Sequence, residues 1–349
     1  MNGRANAVTA AAVAIGSTLG LVLSGCALPP PEKHALGEVP TAVTTAEPEW
    51  LPQRVRSGKA IEADPREAHL TEMRRLSDGY DVDELAFALD SKVLVFLGRA
   101  PGSKLTSLHL IDLGAGTITA LGATNDPPLG MSLARSGNEA LFVVGGASTA
   151  QLVDFSVESL FKKADGAALP AFTPAALNVS RAGLAPDGAT AFLVAKSHDG
   201  GPLSLFAAPR GGTPEAKSLA TGLAEVTPAV SPDRAYVAYV REKSAADQAL
   251  VVASVEGRSP RDLATGARFA SIAFRGSGEQ VVYGSDRDRE AFELYASGAH
   301  AEPNAPAERL TFGGAKGVTF TEDGRQIAFT SKRGGGTFDV YVARFREEP

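Results

Sequence analysis

Gly317-Val318-Thr319-Phe320-Thr321-Glu322-Asp323-Gly324-Arg325-Gln326-Ile327-Ala328-Phe329-Thr330-Ser331 is the stretch whose reading decides the fold. Lys332-Arg333-Gly334 follows it, and Phe338-Asp339-Val340-Tyr341-Val342 closes it. Three short apolar runs alternate with two turns. Asp323-Gly324 suits a tight turn between antiparallel strands, because glycine accepts the positive φ that such turns need. Gly334-Gly335-Gly336 marks a looser turn, and Glu308-Arg309-Leu310-Thr311 upstream supplies one more short run.

The same frame recurs along the chain. Leu184-Ala185-Pro186-Asp187-Gly188 leads into Ala191-Phe192-Leu193-Val194, and Val230-Ser231-Pro232-Asp233-Arg234 leads into Tyr236-Val237-Ala238-Tyr239-Val240. Phe274-Arg275-Gly276-Ser277-Gly278 leads into Val281-Val282-Tyr283-Gly284-Ser285. Weaker copies centre on Ser136-Gly137-Asn138 and Leu89-Asp90-Ser91. The turn residues Asp90, Ser136, Asp187, Asp233, Ser277 and Asp323 are 46, 51, 46, 44 and 46 residues apart. A period near 46 is that of a four-stranded propeller blade, so the spacing predicts an all-β, six-bladed β-propeller.

Burial explains why such units come in series. A small sheet with two apolar faces, as in Tyr236-Val237-Ala238-Tyr239-Val240, cannot cover both alone and stacks against its neighbours until the ring closes. The last copy ends on what reads as a third strand. Met73-Arg74-Arg75-Leu76-Ser77 is worded like Glu308-Arg309-Leu310-Thr311, and it is expected to supply the missing outer strand. An open solenoid would instead leave a bare sheet edge.

These features resemble the TolB-type propeller repeat: the Ser-Pro-Asp-Gly-like turn, the Ile327-Ala328-Phe329 strand, Ser331-Lys332-Arg333, and the closing Asp339-Val340-Tyr341-Val342. The last unit matches closely, those at 184, 230 and 274 less so, and the first two only loosely. TolB carries an α/β domain before its propeller, and the sequence here before residue 69 is too short and proline-rich for one. The resemblance implies an exported propeller with a non-enzymatic binding role. It does not imply membership of the Tol system.

The chain has a single cysteine, Cys26, so it can form no internal disulfide and no cysteine-rich zinc site. Arg4 and an uncharged apolar run precede it, the layout of an export signal. Leu23-Ser24-Gly25-Cys26 resembles the lipobox of bacterial lipoproteins. That resemblance implies cleavage before Cys26 and acylation of its thiol, palmitate included. An uncleaved membrane helix is the alternative. Ala27, where an aspartate would signal inner-membrane retention, implies by the same resemblance an outer-membrane anchor facing the periplasm. The prolines at 29, 30, 31, 40, 48 and 52 make the following stretch an extended, disordered linker. The expected organisation is a signal peptide over 1–25, anchor and linker over 26–68, and a propeller over 69–349.

A net charge of −6 with no basic block gives no footing for a nucleic-acid partner. The five histidines (His34, His69, His109, His198 and His300) lack metal-site spacing, and there is no Gly-x-Ser-x-Gly elbow. His109, in Leu108-His109-Leu110, reads as a strand residue. Asp286, Asp288 and Glu290 alternate as in a calcium loop, but no glycine opens the loop. The interleaved Arg287 and Arg289 make a solvated hairpin the better reading. Gly145-Gly146 and Gly334-Gly335-Gly336 sit in hairpins and do not open helices, which gives little support to nucleotide binding. The expectation is a monomeric, non-catalytic envelope scaffold without cofactor or metal, binding a protein or peptide. Its alternatives are a small-ligand or glycan-binding propeller and an enzyme with a site at a channel mouth.

Overall fold

A computed structural model describes residues 33–35, 58–123, 128–134, 139–144, 151–156, 177–197, 200–210, 216–244, 246–288 and 291–346. Every regular element among them is a β-strand. Strands β1 (Lys33–Ala35), β2 (Lys59–Ala60) and β3 (Leu70–Arg75) come first. A first sheet follows, β4 (Asp81–Ala88), β5 (Val93–Arg99), β6 (Thr106–Asp112) and β7 (Thr117–Ala123), with β1 added at its outer edge. The second has β8 (Pro128–Leu133), β9 (Glu139–Val144) and β10 (Gln151–Ser156). The third has β11 (Leu177–Leu184), β12 (Thr190–Ser197), β13 (Ser204–Pro209) and β14 (Lys217–Thr221). The fourth has β15 (Ala229–Val230), β16 (Tyr236–Ser244), β17 (Asp247–Ser254) and β18 (Arg261–Ala267). The fifth has β19 (Phe269–Arg275), β20 (Gln280–Ser285), β21 (Glu293–Gly298) and β22 (Glu308–Arg309). The last has β23 (Ala315–Phe320), β24 (Gln326–Ser331) and β25 (Asp339–Phe345), extended outward by β3 and β2.

The molecule is an all-β propeller, with one correction to the expected six blades of four strands. Five sheets have four or more strands, and the sheet of the second repeat has three among the described residues. Its remaining segment, 157–176, lies outside them. That segment falls in the longest interval of the series and contains Pro170 and Pro174, which cannot donate to a strand ladder. A second correction concerns the linker read over 26–68. β1 pairs with β7 and β2 with β3, so two pieces of it are ladder strands. The signal segment and the rest of the linker lie outside the described residues.

The core sits between the sheets. Ile327 to Ser331 of β24 are all buried, on both faces of the strand. Phe329 and Tyr341 pack with Val282, Leu294 and Leu310 of the preceding sheet, while Ala328, Val340 and Val342 pack with Val82, Phe96 and Ile111 of the first. A sheet buried on both faces holds its place only when it has a neighbour on each side.

The ring closes as the sequence wording suggested. β3 runs antiparallel to β25, with Arg75 opposite Tyr341 and Leu70 opposite Phe345. Arg75-Leu76-Ser77 then repeats the chemistry of Arg309-Leu310-Thr311. In the fifth sheet, Glu293 accepts from Thr311 Oγ1 at 2.6 Å and Gly314 N at 3.0 Å, and pairs with Arg309 at 3.2 Å. In the last, Asp339 accepts from Ser77 Oγ at 2.9 Å, Tyr80 N at 3.0 Å and Arg75 Nη2 at 2.5 Å. One acid at the start of the third strand thus ties each of these sheets to the next. The N-terminal segment adds a further tie, from Glu67 to both terminal nitrogens of Arg333 at 2.7 Å each.

Candidate functional site

Counting back six residues from each turn marker gives Glu84, Gly130, Arg181, Thr227, Ser271 and Gly317. The ladder slips just before or at this position in β4, β8, β11, β19 and β23. Such a bulge re-aims a side chain away from the sheet. Thr227 occupies the same position just before β15.

Four of these residues, Glu84, Gly130, Arg181 and Thr227, meet across the ring. Glu84 Oε1 accepts from Thr227 Oγ1 at 2.7 Å, and its other oxygen accepts from the Met131 backbone N–H. Arg181 Nε lies 3.9 Å from Glu84 Oε1, and Arg181 Nη1 donates to the Ser180 carbonyl. At Gly130 a Cβ would stand 3.2 Å from Arg181 Cδ, close enough that the arginine would have to shift slightly, and in ordinary contact at 3.7 Å with both Glu84 oxygens. One carboxylate therefore reaches from the first sheet to the second and fourth, with an arginine of the third beside it. This is a polar floor across the channel.

Above the floor lies a cavity of about 490 Å3. Leu85, Met131, Pro228, Ile272 and Val318 form its lower wall, and Phe87, Leu133, Leu184, Val230, Phe274 and Phe320 its upper wall. Its mouth is at the turns, where Asp90, Glu322 and Asp323 stand, and among the described residues no lysine, arginine or histidine lines it. Neighbouring turns are braced by Arg234, which pairs with Asp187 at 2.6 Å. The Ala189 N–H and then that guanidinium hold Asp187 below the usual carboxylate range.

Burial raises the Glu84 carboxyl above its ordinary value of 4.5, and Arg181, Thr227 and the Met131 N–H offset this only in part. The fold thus favours the protonated acid. The stability linked to this group is fully present below its unfolded value and is lost as pH rises through the folded one. Glu84→Gln removes the titration, while Arg181 stays charged throughout and adds only a constant offset. The stability of Glu84→Gln relative to wild type is expected to improve as pH rises above the ordinary carboxylate value of 4.5, and to level off once the folded carboxyl has ionised. Urea unfolding at several pH values measures it, and a flat or opposite trend would refute the assignment.

The sequence-marked residues fare differently. Leu23, Ser24, Gly25 and Cys26 lie outside the described residues, as do His198, Arg289, Glu290 and Gly145-Gly146. His109 is buried in β6, stacked on Phe96 at 4.7 Å and edge-on to Tyr80. His69 is buried at the seam, 2.6 Å from Glu308 Oε1 and 2.7 Å from the Arg346 carbonyl. His300 lies edge-on to Tyr236. Asp286 pairs with Arg268, and Asp288 with Arg309 and the Tyr295 hydroxyl, so these two acids do not converge. Among the described residues no group of three His, Cys, Asp or Glu is placed to hold a metal ion, and no helix is long and apolar enough to cross a membrane. Reading the sequence missed Glu84 and Arg181. Aligning the copies on their turns and comparing residues at one fixed offset would have placed them in one tier.

No protein-family model matches the sequence, and no curated protein does. Solved structures do. A TolB of Agrobacterium tumefaciens, described as putative, is 15% identical with a TM-score of 0.50, over 66% of this chain and 94% of that one. The gluconolactonase of Xanthomonas campestris is 14% identical with a TM-score of 0.57, over 83% and 95%. An oligogalacturonate lyase of Vibrio parahaemolyticus is 14% identical with a TM-score of 0.53, over 83% and 99%. At these identities the likeness is one of fold, and propellers of one fold host different functions. The chain is a β-propeller whose fold is shared with TolB-type propellers.

Proposed function

We propose that this chain is a lipid-anchored envelope protein, held by an acylated Cys26, whose six-bladed ring is a non-catalytic scaffold for a protein partner. The cavity carries this reading: a recess of about 490 Å3 with a mixed polar and apolar lining, opening at turns that carry Asp90, Glu322 and Asp323. Loops on rigid frames are the usual places for binding, and a concave apolar recess with a few polar groups is the usual form of a site. The rim acids favour a partner segment that carries a basic residue beside an apolar one. The lipobox-like Leu23-Ser24-Gly25-Cys26 supports the anchor. A small-ligand reading, glycans included, has one observation in its favour: Glu84, Arg181 and Thr227 offer both donors and acceptors in one floor.

Crosslinking of the intact protein in its envelope, followed by mass spectrometry, tests the scaffold. Wild type should capture a consistent protein, and Glu322→Lys, exposed at the rim, should capture at least tenfold less while unfolding at the same midpoint. Equal capture by both would remove the cavity from the proposal. For the anchor, Cys26→Ser should leave the membrane fraction as an unlipidated chain. Wild-type protein that retains residues 1–25 and carries no acyl group by mass spectrometry would favour a spanning helix.

A further inference from the structure

The last two sheets share three residues 46 positions apart and differ at a fourth: Ser285, Arg287 and Tyr295 in the fifth recur as Ser331, Arg333 and Tyr341 in the last, while Tyr283 corresponds to Phe329. Both arginines lie over the later aromatic ring, Arg287 5.3 Å from the Tyr295 centroid and Arg333 5.6 Å from that of Tyr341. In the last sheet this pocket receives a carboxylate. Glu67 pairs with Arg333 and accepts the Phe312 N–H at 2.8 Å, and the Ser331 hydroxyl donates to the Gly313 carbonyl.

The corresponding place between the fourth and fifth sheets is built differently. A cavity of about 30 Å3 lies there, lined by Thr265, Phe269, Tyr283, Ser285, Arg287 and Asn304, among others. Asn304 accepts from Thr265 Oγ1 at 2.9 Å, tying it to the neighbouring sheet. No carboxylate of the described residues lines the cavity. Among the described residues the Ser285 hydroxyl, on a residue 0% exposed, has no hydrogen-bond partner, and the Tyr283 hydroxyl, on a residue 1% exposed, has only the Arg287 guanidinium beside it. Two buried hydroxyls able to donate, beside a guanidinium, form a donor set for negative charge. The acids on either side of Arg287 in the chain are already committed: Asp286 to Arg268, Asp288 to Arg309.

We infer that this cavity is a binding site for a small monovalent anion of halide size, seated on Arg287, Ser285 and Tyr283. It takes the place that the Glu67 carboxylate holds in the last sheet. About 30 Å3 exceeds the roughly 10–15 Å3 that one water needs, which suits one heavy ion. Such an ion stabilises the ring by binding the folded state, with an effect that grows with its concentration relative to its dissociation constant.

The test uses the full chain. Crystals soaked in sodium bromide are expected to show an anomalous peak between Ser285 and Arg287. In solution, the unfolding midpoint should rise saturably when chloride or bromide replaces gluconate at constant ionic strength. That response should vanish in Arg287→Met, whose position is exposed, and weaken at least tenfold in apparent affinity in Tyr283→Phe. A peak-free cavity, or an unchanged halide response in Arg287→Met, would overturn the assignment and leave the site to water.

Discussion

Arg333→Met should lower the unfolding free energy by about 3–5 kcal/mol, the cost typical of leaving one partner of a buried ion pair alone. The Glu67 side chain is 0% exposed and Arg333 only 11%. With the guanidinium gone, the carboxylate keeps only backbone donors, from Phe312 at 2.8 Å and Asp64 at 3.3 Å. Methionine still covers the Phe329 and Tyr341 rings that the arginine covers, so the loss isolates the charge. In Glu67→Gln/Arg333→Met no charge remains to be stranded, and stability should return at least halfway to wild type. Guanidinium unfolding of the three proteins measures this. A single variant within about 1 kcal/mol of wild type, the ordinary range for exposed pairs, would mean that the pair is not desolvated as described.

A chain that begins at Ser77, and so lacks β3, should not fold to a cooperative ring. It would lose Leu70, Met73 and Leu76, each no more than 2% exposed. At about 1.5–3 kcal/mol for each buried side chain, their sum approaches the whole net stability of a domain, about 5–15 kcal/mol. It would also lose the Arg75 and Glu67 ties and leave β25 with an open edge. A chain beginning at Gly58 keeps all of these and is the control. Circular dichroism melting should show a sharp transition for the longer chain and none for the shorter. A cooperative transition in the shorter chain would show that the ring does not depend on this strand.

Most of the frame is written locally, and for a physical reason. Alternation, turn glycines and a repeat length are properties of neighbouring residues, so Asp323-Gly324 and its upstream counterparts announce strands and turns without tertiary information. Even the closing strand was legible, because Arg75-Leu76-Ser77 must satisfy Asp339 just as Arg309-Leu310-Thr311 satisfies Glu293. The second repeat was legible only through its loosely worded turn at Ser136-Gly137-Asn138, and β8, β9 and β10 form its sheet among the described residues. The linker misled in one respect: Lys59–Ala60 is paired, and Glu67 is buried, among residues whose composition suggests exposure.

By itself the sequence determined that this chain is built of repeated small antiparallel sheets, how long each is, and which segment closes the series. Tertiary structure alone decided that Glu84 meets Arg181 and Thr227 across the channel, and that Glu67 finds Arg333, 266 residues away. Strand and turn signals act over a few residues, where backbone geometry fixes the neighbour. Charges brought together by ring closure lie at separations that no local pattern encodes, and burial sets their energies only once the sheets are stacked.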